Sequence, residues 1–246
     1  MRWNPAEASE IVDAVAKAPV YSADRPWTLE LHGRSVYLFE AGQRSEHDPL
    51  GFDRLLSCGA ALEHVVLAIR HAGWHVHVVF PTDQASPDVL AVVRADRRQP
   101  PDPQDLDLHR AIRLADASGA GDAHKFGWAN HWAGTELRAL NDHELVVITT
   151  GDRRPDHVRG GAALQAAVLA GRSAGVAVRP VVHLVHRREW RAGLIERHEL
   201  AGFPQALAIV AALGPAGTGP ATASAARSDS QRRTRKGVPL CVLATS

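Results

Sequence analysis

Only two of the 246 residues are cysteines, Cys58 and Cys241. Two thiols so far apart build no disulfide framework, and a reducing compartment suits them. Lysine is nearly as scarce: Lys17, Lys125 and Lys236 stand among 28 basic residues, the rest being arginine. Acidic residues number 27, so the formal net charge is +1. Nothing global draws such a chain to nucleic acid or to an anionic membrane surface. No run approaches the roughly 20 apolar residues of a membrane span, and residues 1–15 carry no apolar signal core. The expectation is a soluble, cytoplasmic protein. Hydrophobic residues make up 45% of the chain, and its length allows one large domain or two small ones.

What is present, above all, is a repeat. Residues 59–79 read GAALEHVVLAIRHAGWHVHVV and residues 161–181 read GAALQAAVLAGRSAGVAVRPV. Without a gap they share Gly59/Gly161, Leu62/Leu164, Val66/Val168, Leu67/Leu169, Arg70/Arg172, Gly73/Gly175 and several alanines. Each copy reads as helix, glycine stop, strand. Leu55, Leu62, Val65, Val66 and Ile69 recur at spacings of three, four and seven, which makes a helix face. Gly73 suits the left-handed position that ends it. From Trp74 to Phe80, Val76, Val78 and Phe80 alternate with His75 and His77, a strand period. The second helix is so rich in alanine and glycine that another backbone can come close. Two like half-units packed helix to helix about a pseudo-twofold axis follow as the expectation.

Elsewhere, Asn4-Pro5-Ala6-Glu7 is a helix start with a cap, a first-turn proline and an acid at N3. Residues 28–31 and 34–40 read as a hairpin turning at His32-Gly33. Val89–Arg94 is a short strand. Arg97–Asp107 is charged and proline-rich and reads as an exposed connector, followed by a helix over 106–117 and a break at 118–122. Glu144–Thr150 is a strand apolar enough for burial on both faces. The second copy's strand is placed at 181–185, a polar helix at 187–196 and a last strand at 206–213. From Gly214 the composition turns to Gly, Pro, Ala, Thr and Ser, then QRRTRKG, which reads as a flexible or extended tail.

Several stretches resemble the Acg-type, actinobacterial branch of nitroreductase-like flavoproteins. They are Leu55–Trp74, Ala18-Pro19 with Pro26-Trp27 seven residues on, Leu145–Gly175 and Phe203-Pro204-Gln205. The resemblance implies an α+β fold of mixed or antiparallel sheet with helices, built as a fused pseudo-dimer. It would be one domain over 1–213, with half-units of about 1–96 and 141–213, a connector at 97–140 and a tail at 214–246. It also implies one FMN between the halves and NAD(P)H-linked hydride transfer to a small acceptor, the flavin carrying the chemistry. The chain departs from the family at its flavin loop, which reads Val20-Tyr21-Ser22-Ala23-Asp24-Arg25 where the family has Ser-x-His-Asn-x-Gln. It departs again at Gly51-Phe52-Asp53, where the family has Gly-Arg-Glu. The middle of the chain is also short. A degenerate member that sequesters flavin or serves as an interaction protein is the alternative. Apolar surface left by the missing middle would favour a homodimer.

The cofactor-binding candidates are Lys17, Ser22, Arg25, Arg235 and Lys236. The four cations suit a phosphate, against a solvated helix end and a basic tail. His75 and His77 share a strand face, but no third ligand is spaced for a metal; outward polar residues are the plainer reading. Cys58, one turn into a helix, reads either as an activated thiol or as a small buried hydrophobe. Trp128 and Trp132 read as a lid on a flat cofactor or as a packing pair. A nucleic-acid role for residues 227–239 has no motif behind it.

Overall fold

The computed structural model describes residues 2–22, 24–42, 48, 50–81, 86–114, 128, 130–212 and 242–244. Helix α1 (Pro5–Val15) opens with the expected capping box: Asn4 accepts from the Glu7 amide, and the Glu7 carboxylate accepts from the Asn4 amide. The hairpin follows as β1 (Trp27–His32) and β2 (Ser35–Glu40), paired in register from Trp27↔Glu40 to His32↔Ser35. Then come α2 (Phe52–His71), β3 (Trp74–Val79) and β4 (Val89–Arg98). Gly73, at φ +79°, turns α2 into β3.

The second half runs α3 (Pro103–Arg113), β5 (Thr135–Asn141), β6 (Glu144–Thr149), α4 (Arg154–Ser173) and β7 (Val176–Val181). It ends with α5 (Arg188–His198) and β8 (Phe203–Ala212). A short β9 (Val242–Ala244) completes the described chain. The strands form two sheets, ordered β3-β4-β2-β1-β9 and β5-β6-β8-β7. All pairs are antiparallel except β9, which runs parallel to β1. This is a mixed α+β fold. Read from the opposite edge, the second sheet is β7-β8-β6-β5, so the strands of the two halves take the same places in the same chain order.

Helix α2 packs against the first sheet, α4 against the second, and the two helices pack against each other between them. Both are buried on nearly every side, as helices between two layers must be. The repeat glycines make the contact possible. A Cβ at Gly59 would collide with the Val158 carbonyl and the Ala162 amide, and one at Gly161 with the Leu56 carbonyl. Each glycine thus abuts the other helix three residues before the other glycine.

Four sequence expectations change. The second copy's strand is Val176–Val181, directly after Gly175 at φ +74°, and not 181–185. Pro180 argues against a strand in the sequence, yet proline is tolerated on this edge strand. The stretch Arg97–Asp107, expected as an exposed connector, is partly structured. β4 runs on through Arg98, and its exposed charges are those of a strand leaving the core. Helix α3 begins at Pro103, capped by Asp102 on the Gln104 amide, and ends at Arg113. β5 has no counterpart among the sequence expectations; on the open edge of its sheet, it keeps a mostly exposed, polar sequence. The break at 118–122 and most of the tail lie outside the described residues.

Candidate functional site

The loop between α1 and β1 carries three of the five cofactor candidates. Lys17 is exposed at the end of α1. The Arg25 guanidinium donates to the Ala16 carbonyl at 3.4 Å and lies over Trp27 at 5.7 Å, so the two cations share one end of α1. The carbonyl end of a helix attracts cations by itself. The Ser22 hydroxyl donates to the Asp24 carbonyl at 2.8 Å. Arg235 and Lys236 lie outside the described residues.

The loop is fastened to α2. The Tyr21 amide donates to Ser57 Oγ at 2.8 Å, and the Cys58 thiol donates to the Pro26 carbonyl at 3.2 Å. Cys58 is fully buried and burial pushes its thiol pKa up, so it is a packing residue rather than an activated nucleophile. The Tyr21 hydroxyl and the Trp27 indole N–H are buried with no hydrogen-bond partner among the described residues. Leaving such groups unmet is costly.

Beside this loop the first turns of α2 and α4 form a polar junction. Glu40 receives Arg54 at 2.9 Å and Arg154 at 2.5 Å, a bridge across both halves. Phe52 stacks on His186 with centroids 4.7 Å apart and meets His157 edge-on at 4.5 Å. His186 Nε2 lies 2.9 Å from Asp53. His157 Nδ1 lies 2.5 Å from Gln205 Oε1, and the Gln205 amide donates to Thr149. Burial lowers the His157 pKa, against the opposing pull of Gln205 and Asp152. The Phe52-Asp53 pair that departs from the family pattern is therefore fully used in packing and in holding His186.

A second polar cluster lies outside the sequence expectations. Glu63 on α2 is wholly buried, accepts from the Trp132 indole at 2.7 Å and lies 3.1 Å from His131 Nε2. Trp132 is thus a core residue, and Trp128 packs against the same core; the lid reading fails for Trp132. On the next position of α2, His64 Nδ1 lies 2.7 Å from the Ala14 carbonyl and Nε2 lies 2.8 Å from the Gln165 amide nitrogen. The sequence does carry a signal for it: Glu63 and Gln165 occupy the same repeat position, a polar residue amid apolar ones. Of the strand histidines, His75 pairs with Asp96 at 2.8 Å and His77 is exposed.

No protein-family model matches the chain, and a comparison with curated proteins finds no match either.

Proposed function

We propose that the chain is a nitroreductase-like flavoprotein, with two half-units related by a pseudo-twofold axis and one FMN held against the loop at residues 17–26. The observation that carries this reading is the duplicated strand order around a central pair of helices whose glycines meet reciprocally. That is the arrangement the family resemblance implies. The chemistry of the loop fits in part. Lys17 and Arg25 would neutralise the phosphate, with Arg235 and Lys236 from the tail, and Ser22 would donate to it on leaving the Asp24 carbonyl. Tyr21 and Trp27 bring two buried donors that lack partners among the described residues, suited to the neutral acceptors of a planar ring. Bound FMN would supply hydride transfer between NAD(P)H and a small acceptor. The chain's own part would be to bind, orient and exclude water.

A second reading is favoured by the junction beside the loop. Glu40 engages both Arg54 and Arg154, and Phe52 lies packed between two histidine rings. Protein side chains thus fill the space beside the loop. On that reading the chain is a degenerate member that sequesters flavin or serves as an interaction protein.

The test is the absorption spectrum of freshly purified protein from the near-ultraviolet to the blue, with Tm recorded with and without added FMN. Flavin bands or a rise in Tm support the proposal. The absence of both would sink it. NAD(P)H oxidation by the loaded protein separates the catalytic reading from the sequestering one.

A further inference from the structure

One cavity has no place in the flavin reading. It opens among the end of α2, the start of β3 and the first turn of α3, with a volume of about 330 Å³. That is the small end of the ligand-pocket range of about 300–1,000 Å³. Arg70, Trp74, His75, Asp102, Asp105 and His131 are among its walls.

The walls rule out several occupants. Trp74 offers no stacking face: Arg34 lies 3.6 Å from its ring centroid and Arg98 3.7 Å, and its indole N–H is given to Glu7. A flavin or nucleobase finds no aromatic platform there. Among the described residues no group of three metal-ligating side chains is gathered.

The charges point to what remains. Arg70 and Asp105 pair at 3.0 Å and are neutral together, and His131 lies 3.1 Å from the buried Glu63, a couple that is neutral when the ring is doubly protonated, the state Glu63 favours. Yet each couple keeps unused donors. His131 Nδ1 has no partner among the described residues, and one Arg70 nitrogen, Nη1, makes the contact with Asp105. One oxygen of Glu63 is itself buried and unmet among the described residues, which strengthens its hold on a proton at His131. Burial alone would lower the His131 pKa, but Glu63 outweighs it and the pKa is raised. Among the described residues, Asp102 is the carboxylate of this cleft without a cation. It is exposed, and Oδ1 caps the Gln104 amide at 2.8 Å, which leaves Oδ2. The cleft therefore asks for an acceptor at His131 and Arg70 and for a cationic donor at Asp102.

We propose that this cleft binds a small zwitterion of the amino-acid class, its carboxylate on His131 and Arg70 and its ammonium group on Asp102. A simple anion would meet the uncompensated Asp102. A simple cation would leave the donors of His131 and Arg70 unmet.

Calorimetric titration of the full chain with each of the twenty standard L-amino acids tests this. At least one should bind saturably, and its N-acetyl and methyl ester derivatives should each bind at least tenfold more weakly. Asp102→Asn retains an oxygen for the helix cap; it should weaken binding at least tenfold with Tm unchanged. Three results would each overturn the proposal: no saturable binding by any amino acid, blocked derivatives that bind as tightly, or an Asp102→Asn protein that binds like the wild type. The flavin spectrum has no bearing on this outcome, because no residue of the cleft belongs to the loop at 17–26.

Discussion

At the scale of single residues the molecule is governed by a few buried polar groups. His64 is the clearest. Its Nδ1 faces a carbonyl and so carries the proton, and its Nε2 accepts from Gln165. The second bond requires the neutral ring, and burial, the largest cause, drives its pKa down to about 4 against the Ala14 carbonyl, which favours the charged form. The unfolded chain takes up that proton near the ordinary value of about 6.5. Stability from this group is therefore full above 6.5 and is lost as pH falls toward 4, by about 3 kcal/mol at the limit. His109 and His157, also lowered by burial, act in the same direction. Urea midpoints should drop between pH 7 and pH 4.5, and ¹⁵N imidazole shifts should keep His64 in one neutral tautomer to about pH 5. His131 behaves in the opposite sense: its pKa is raised, so its contribution is present at low pH and fades as pH rises through that value. Glu63→Gln removes the anion and should lower the His131 pKa, read by the same titration.

Such residues are the least legible part of the sequence. A histidine or glutamate within an apolar helix run does not say which distant backbone atom it meets. Ala14 and Trp132 lie far from α2 in sequence, and only the tertiary packing brings them there. Cys58 is the exception, because an apolar helix face on either side already implies burial.

At the scale of elements, the contact between α2 and α4 decides the architecture. Helix propensity favours alanine over glycine by about 1 kcal/mol. At Gly59 and Gly161 that gain is overwhelmed, because the new methyl would overlap a facing backbone. Gly59→Ala and Gly161→Ala should each lower stability by about 1–3 kcal/mol or more, measured by urea denaturation. Their effects should not add, since both spread the same pair of helices. Gly193 in α5 is the control: a Cβ there meets nothing within 4 Å. Gly193→Ala should therefore stabilise, by about 0.5–1 kcal/mol. The repeat makes this contact legible from the amino-acid order, which offers two small-residue helices with matched glycines. Boundaries are harder wherever a strand lies at an edge or leaves the core. β5 and the end of β4 carry few apolar residues because solvent takes one or both faces, and without burial the two-residue period fades.

At the scale of the whole molecule, the chain is two similar sheets held on a shared pair of helices, with no helix among the described residues long and apolar enough to cross a membrane. The halves are not independent. Glu40 ties Arg54 to Arg154, His64 meets Gln165, and β9 from the end of the chain joins the first sheet. Removing residues 242–246 should strip the β1 edge of its neighbour. Amides of residues 29–31 should then exchange faster with solvent while those of β8 are unchanged.

The placing of β9 has a topological consequence. Ala244 pairs with Leu31, and the Trp3 amide donates to Gly33 at 3.1 Å, only two residues along the same hairpin. Residues 3 and 244 thus both lie at the turn end of the β1–β2 hairpin. Joined there by a brief glycine-serine bridge and reopened at the exposed β5–β6 turn around Asp142, a circularly permuted chain should still reach the native fold.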